Sequence, residues 1–577
     1  MLFKPLDTMK IPYLGPISLS WCRACNVPVL AERCGVCGGP TEKVPITPPG
    51  DIRPAFERDI ELINEAAISQ FGSPLIKDER VVLLNSVPGF DRFDEVIVDG
   101  VVAGALRYDV KRLCYEFMPG VEGGNRIWNG GGKGFVRVAV DAAAFILRGA
   151  SVLMPGVVDF DREIQAGQEV LVVCEDSVIA VGKTRFSGEE AAKARKGMFV
   201  KVRRRLVEDG AHIPEGGQGW GLVVEANREV IERYEKEALQ FIRRSVERKD
   251  LPVVVSFSGG KDSLATLLLV RKVVEPKVLF VDTGVEFPET TEYVERMADA
   301  LGLDLIITRA GDRFWKGLSV FGMSGRDYRW CCKVCKLGPV AKVMDERFPQ
   351  GVLNFIGQRR YESLVRSRSR RMWRNRWLPR QLCASPIQSW SALHVWLYLM
   401  KEGVDVNPLY HRGLERIGCW PCPSSSLAEV EALKELYPGL WQGFVERLSA
   451  SGLSDEEIKY GFWRWQHLPK GQQGLAEELA VAAGRRRRGR SLMSPDRERA
   501  RNIAGALGTD VTEDVIARST LCLGCGVCLG HCEHGAIEFR GGRVWLNSRC
   551  RGCGRCHGRC PIVKYLYEKN IINNHDS

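Results

Sequence analysis

Seventeen of the twenty cysteines fall into C-x2-C-type groups or an adjacent pair, and no other feature so constrains what the chain can fold into. In a small secreted chain such a count would read as a disulfide framework. Here the chain has 577 residues, 45% of them hydrophobic and 27% charged, enough for roughly four domains with their own cores. The opening stretch MLFKPLDTMKIPYLGPISLSWC has no apolar h-region or small-residue cleavage site, and no apolar run approaches the roughly 18 residues that span a bilayer. A cytoplasmic protein without a membrane partner is expected, its thiolates kept reduced to hold metal. The net charge of +11 points to anionic partners such as nucleotides or RNA.

Near the start, WCRACNVPVLAERCGVCGG sets two C-x2-C knuckles eight residues apart. Cys22, Cys25, Cys34 and Cys37 offer enough thiolates for a closed tetrahedral Zn2+ site, so residues 1–50 are expected to form a zinc ribbon, with rubredoxin-like iron as the alternative. Further on, CLGCGVCLGHC and CRGCGRCHGRCP duplicate one C-x2-C-x2-C-x3-C pattern, closed by Pro561. The pair resembles bacterial-type ferredoxins with two 4Fe–4S clusters. In that family the fourth cysteine of each run ligates the other cluster. The resemblance therefore implies Cys522, Cys525, Cys528 and Cys560 at one cluster and Cys550, Cys553, Cys556 and Cys532 at the second, in a domain over 516–565. Zinc is the alternative there too. The segment between the runs is short enough for a hairpin. Ahead of it, over 431–515, a helical segment and basic linker are expected, and GRRRRGRS (Gly484 to Ser491) reads as a solvated linker or an RNA contact.

In the middle, VVVSFSGGKDSLATLLLVRKVV reads as a β-branched strand, a glycine turn and an amphipathic helix. A strand feeding a helix through Ser-Gly-Gly presents unpaired amides where the helix dipole favours anions. Gly259 and Gly260 permit close backbone approach, Ser258 and Ser263 add hydroxyls, and Lys261 adds charge; Asp262 completes the loop. The Walker A spacing is not met. The stretch resembles the PP-loop of adenine-nucleotide α-hydrolases, which hold an adenylate or pyrophosphate.

That likeness extends to the phosphoadenylylsulfate (PAPS) and adenylylsulfate (APS) reductase family, in the family's order over residues 251–430. LFVDTGVEFPETTEYVERMADALGL looks like its second strand and helix, with Asp282, Thr283, Gly284 and Glu286 at the strand's carboxyl end, where such sheets bind ligands. IGQRRYESLVRSRS resembles its G-x-R-x-x-E-S-x-x-R segment, carried by Gly357, Arg359, Glu362, Ser363 and Arg366. RWCCKVCK and IGCWPC, eighty-six residues apart between Cys332 and Cys419, resemble the 4Fe–4S site of APS reductases. This implies a third cluster on Cys331, Cys332, Cys419 and Cys422, with zinc again the alternative. A backbone kink would bring the adjacent pair onto one cluster, and Lys333 and Lys336 would offset its charge. The fold class expected is α/β: a doubly wound PP-loop core with a zinc ribbon, a PUA-like β-barrel and a ferredoxin-like iron–sulfur domain.

The PUA likeness rests on RGASVLMPGV, GQEVLVV, IAVGKTRFS and KGMFVKVRR, over residues 131–208. It implies RNA contacts from Lys201, Arg203, Arg204 and Arg205, or a spacer barrel with none. A mixed α/β lead-in over 51–130 and a helical connector over 209–250 flank it. Between Arg359 and Arg380 nine arginines interleave with Tyr361, Trp373 and Trp377. The first of them would hold sulfate and phosphate; the rest form a solvated lid or a stacking track for single-stranded nucleic acid.

Three functions fit these readings. The first is reduction of APS or PAPS to sulfite, with a low-potential donor feeding the ferredoxin domain. Lys261, Arg359 and Arg366 would be catalytic. The family's E-C-G-x-x-H-like motif with its nucleophilic cysteine does not occur, so Cys335, or less directly Cys383, would attack sulfur as a thiolate of lowered pKa beside lysines, or electrons would arrive directly. The second is ATP-dependent sulfur insertion into RNA such as tRNA. The third is a non-catalytic, redox-sensing RNA binder.

Overall fold

The computed structural model describes residues 14–16, 19–206, 218–481 and 494–566, so the arginine run at 484–491 lies outside the described residues. The chain divides into two compact units: Met1–Arg233 with Trp390–Val404 and His411–Gly413, and Tyr234–Ser389 with Asp405–Tyr410 and Leu414–Ser577.

In the first unit, strand Ser20–Cys22 pairs antiparallel with Val27–Val29 and Glu42–Lys43 and carries the first thiols. Five antiparallel strands between residues 52 and 119 follow in sequential order, backed by helix Glu57–Phe71. Next comes a six-stranded sheet between residues 135 and 205. Its strand Glu169–Cys174 is buried along nearly its whole length, which the period of two explains. Val170 and Val172 face one core with Ile179 and Phe199. Leu171 and Val173 face the opposite way, into a core shared with Phe117 and Ile127 of the preceding sheet region. Helix Ala392–Glu402 also groups here: Asp51 Oδ1 accepts from the Ala392 N–H at 2.6 Å, and Phe56 meets the Trp396 ring edge-on at 4.9 Å.

The second unit is built on a six-stranded sheet. From one edge it runs Leu305–Arg309, Lys277–Asp282, Val253–Ser256, Val352–Ile356, Gln381–Ala384, Met372–Arg374. All pairings are parallel except the last. The chain starts in the middle and winds outward both ways, so the order reverses between Val253–Ser256 and Val352–Ile356, and a crevice opens at their carboxyl ends. This is the α/β doubly wound core. The C-terminal cysteine runs belong to the same unit, separated by a hairpin of Ile537–Arg540 and Arg543–Leu546. Gly541 and Gly542, both at positive φ, make its two-residue turn. Among the described residues no helix is long and apolar enough to cross a membrane.

Candidate active site and thiol centres

The loop after strand Val253–Ser256 sits at the point of reversal. Gly259 adopts φ +75°, and a Cβ there would stand 3.0 Å from Thr290 Cγ2. Ser263 turns inward: its Oγ donates to the Gly260 carbonyl at 2.8 Å and accepts from the Ser258 N–H at 3.2 Å, closing the loop on itself. The Lys261 N–H, at the helix start, donates to the Tyr410 hydroxyl at 2.9 Å. Asp262 lies between Lys261 Nζ at 2.7 Å and Arg359 Nε at 2.6 Å. Burial pushes the Asp262 carboxyl up, yet the charges of Arg359 and Lys261 hold it below its ordinary value. Arg359 arrives from the strand across the reversal. Its neighbour Gly357 is obligatory, since a Cβ would collide with the Asp262 backbone at 2.4 Å. Glu362 accepts from the Arg359 N–H at 2.7 Å and pairs with half-exposed Arg366.

One strand over, Asp282 Oδ1 accepts from the Gly284 N–H at 2.8 Å. Gly284 has φ +77°, and a Cβ would come within 2.1 Å of the Gly311 carbonyl. Thr283 Oγ1 donates to Glu286 at 2.7 Å and lies 3.4 Å from Cys419 Sγ, which itself reaches Glu286 at 3.5 Å. The strand-end residues and the thiols thus meet. Arg326 ties the two cysteine segments together, donating to the carbonyls of Pro423 at 3.0 Å and Ser424 at 2.9 Å. Arg329 donates to Ser424 Oγ at 2.7 Å and to Cys332 Sγ at 3.5 Å.

Cys331 and Cys332 are not joined by a kink. Cys331 has φ −55° and ψ −44°, and Cys332–Leu337 form a π-helical turn that runs into helix Gly338–Arg347. Such wide turns inside helices are frequent at functional sites. A hydrogen bond between the two sulfurs raises the Cys331 pKa and lowers that of Cys332. Of the two lysines, Lys336 lies by the thiols, its pKa raised first by the charge of Cys419, whereas Lys333 caps the Trp377 ring at 4.2 Å. Cys335 does not have the lowered pKa expected of a nucleophile. It is buried, and burial followed by the neighbouring sulfurs of Cys419, Cys332 and Cys525 pushes its thiol up. Burial raises Cys383 to about 12.

The arginine segment is less available than its spacing implies. Arg371 stacks on Phe241 at 4.0 Å and donates to the Ser385 and Pro386 carbonyls, and Arg380 pairs with Asp345. Tyr361 and Trp377 are buried, which closes them to base stacking. On the barrel, Arg203 is bound by Glu169 at 3.0 Å and the Pro119 carbonyl at 2.8 Å, and burial lowers Arg204 to about 10. Lys201 and Arg205 remain exposed there.

Cys522, Cys525, Cys528 and Cys560 line one open-mouthed cavity with Phe321 and Val544. Cys532 and Cys550 pack against the same apolar cluster that holds Cys556, while Cys553 is exposed. Cys532 Sγ accepts from the Ala536 N–H at 3.2 Å. Buried Arg518 lines the cavity and donates to Cys556 Sγ at 3.4 Å. At the other end of the chain the sulfurs of Cys22, Cys25, Cys34 and Cys37 converge within 4.8 Å, Cys22 to Cys37 at 3.5 Å and Cys25 to Cys34 at 3.9 Å.

Sequence reasoning passed over Tyr410, Arg326, Arg329 and Arg518. For the last three a signal existed, basic residues beside or just ahead of cysteine runs; Tyr410 had none, lying 149 residues from its partner Lys261.

Comparison with known proteins gives two domain families. The phosphoadenosine phosphosulfate reductase domain matches residues 252–425 and the PUA domain residues 134–206. The uncharacterized protein MJ0066 of Methanocaldococcus jannaschii is 38% identical over 470 residues, 79% of this chain and 98% of that one. A sulfate adenylyltransferase subunit 2 of Hyphomonas neptunium is 28% identical over 255 residues, covering 40% of this chain and 74% of its own. An adenosine 5'-phosphosulfate reductase of Lysinibacillus sphaericus is 27% identical over 233 residues, 38% of this chain and 91% of that one.

Proposed function

Because the chain belongs to one family with MJ0066 and carries a phosphoadenosine phosphosulfate reductase domain beside a PUA domain, we propose that it binds an adenylylsulfate at the Ser258–Ser263 loop and reduces it to sulfite. The observation that carries this is the 3.4 Å contact of Cys419 Sγ with Thr283 Oγ1, which sets a thiol group against the carboxyl end of the strand beside the loop. In the reaction the bond between sulfur and the bridging phosphate oxygen breaks. AMP leaves with that oxygen and its bonding pair, and sulfur takes up two electrons to become sulfite.

The chain's part is to bind and orient. Asp262 holds Lys261 and Arg359 in place at the helix start, ready for the anion, and Arg366 extends the cationic lining. Lys336 offsets negative charge at the thiols. Cys331, Cys332, Cys419 and Cys422 would hold one 4Fe–4S cluster, and Cys522, Cys525, Cys528 and Cys560 a second around their shared cavity. Cys532, Cys550, Cys553 and Cys556 would hold a third. Bound there, such clusters would supply single low-potential electrons drawn from an external carrier. The buried state of Cys335 favours electron delivery over attack by that thiol.

The ribbon thiols suit a smaller guest. Tetrahedral Zn2+ with Zn–S of about 2.3 Å places sulfurs about 3.8 Å apart, and the 3.5 and 3.9 Å pairs bracket that spacing. A strong chelator is expected to remove about one zinc and unfold the ribbon strands while leaving iron in place, read by metal analysis and limited proteolysis. Loss of iron alone would reassign this site.

A second chemistry, ATP-dependent sulfur insertion into RNA, is favoured by the PUA domain. Offering APS, PAPS, and ATP with bulk tRNA separately under anaerobic conditions separates the two. Sulfite released from an adenylylsulfate without RNA is expected. AMP formation that requires tRNA and leaves labelled sulfur in it would assign the second chemistry instead.

A further inference from the structure

Two glycines interlock where helix Gly338–Arg347 meets the first C-terminal cysteine run. A Cβ at Gly338 would stand 2.4 Å from the Cys525 carbonyl oxygen and 3.1 Å from Cys525 Cβ, and one at Gly526 would stand 2.8 Å from the Gly338 carbonyl oxygen. Gly338 has helical φ −61° and ψ −55°, a conformation every residue accepts, and glycine there costs about 1 kcal/mol of helix propensity against alanine. Conformation therefore does not explain it; close approach to Cys525 does. The contact is dry. Val527 shares one apolar core with Val340, Ala341 and Met344 of that helix and with Val254 and Leu279 of the sheet.

The glycines also lie between the two kinds of thiol site. Gly338 ends the π-helical turn that begins at Cys332, and Cys525 lines the C-terminal cavity. Cys335, in the same turn, is within electrostatic reach of Cys419, Cys332 and Cys525. Behind the cavity, Arg518 links it to Cys556, whose set includes solvent-exposed Cys553.

We propose that the Gly338–Gly526 contact is the electron junction through which the site of Cys522, Cys525, Cys528 and Cys560 feeds the PP-loop thiols, and that an external one-electron carrier delivers at the exposed Cys553 set. This rests on the reductase reading above. Each passage moves one electron, oxidising the giving site by one and reducing the receiving site by one, with no bond made or broken. Two passages supply the pair that sulfur gains. Tunnelling falls off exponentially with separation, so the close backbone approach that the two glycines allow keeps the transfer fast.

The test uses the full chain, reconstituted anaerobically and reduced with methyl viologen. In the wild type, electron paramagnetic resonance is expected to show mutual splitting of the reduced centres. The double variant C331S/C332S should lose the part of the splitting that involves the PP-loop site while keeping the C-terminal signals. Gly338→Val and Gly526→Val, with wild-type iron content, should lose the fast phase of PP-loop-site reduction in freeze-quench samples. Retention of that phase in both would overturn the junction. Should the valine variants not hold iron, the wild-type splitting decides. Its absence in protein with about twelve iron atoms overturns the junction alone, whereas about eight iron atoms overturns the reductase reading with it.

Discussion

Lys261→Ala is expected to lower sulfite release by about 100- to 1000-fold, the loss typical of one donor aimed at developing charge. The helix start is where the phosphate of an adenylylsulfate would lie, and Lys261 is a cation of that turn. The change should cost less stability than loss of Arg359, because Asp262 keeps its 2.6 Å pair with the more deeply buried arginine. Arg359→Ala should differ. Its side chain is 3% exposed and reaches Asp262 from within, so its removal opens a buried site beside a mostly buried carboxylate and should cost about 3–5 kcal/mol of stability as well as activity. Turnover and thermal melts measured on both variants separate the two roles. Wild-type turnover in Lys261→Ala would show that the loop does not grip the substrate.

Asp59→Asn is expected to cost about 3–5 kcal/mol, the penalty for breaking a buried charge network. Asp59 accepts from Arg53 through both oxygens at 2.6 and 2.9 Å, from Arg92 at 2.5 Å, and from the Phe56 N–H at 3.0 Å, at the start of helix Glu57–Phe71. Burial pushes this carboxyl up, but Arg53 and Arg92 hold it well below its ordinary value. A carboxyl depressed in the folded state lends stability that is complete above the unfolded pKa of about 3.9 and fades as pH falls toward the folded value. Melts of wild type and Asp59→Asn should therefore stay far apart above about pH 5 and converge in stronger acid. A constant gap down to pH values well below 3.9 would assign the stabilisation to packing instead.

What could be read in advance follows from how local each feature is. Ser258 to Asp262 were legible because a glycine turn between a β-branched strand and a helix is written in one contiguous stretch. Cysteine groups were legible from spacing alone, and the ribbon sulfurs do converge. Features made by distant segments were not. Tyr410 caps the Lys261 N–H from 149 residues away, and the Gly338–Gly526 contact joins two stretches that look like an ordinary helix start and a cysteine loop. Cys335 misled because sequence neighbours were taken for spatial ones. Lys333 turns to Trp377, and the groups that face the thiol are other sulfurs. The arginine–aromatic alternation misled likewise, since burial of Tyr361 and Trp377 and the internal contacts of Arg371 give those residues packing roles that composition does not distinguish from a binding track.

The most direct measurement counts electrons. Protein reduced anaerobically and freed of donor is mixed with APS or PAPS, and sulfite, nucleotide and oxidised centres are quantified together. One sulfite and one released adenosine phosphate for every two electrons withdrawn is the expected result. Sulfate in place of sulfite with the centres still reduced, or equal turnover by protein stripped of iron and sulfide, would contradict it.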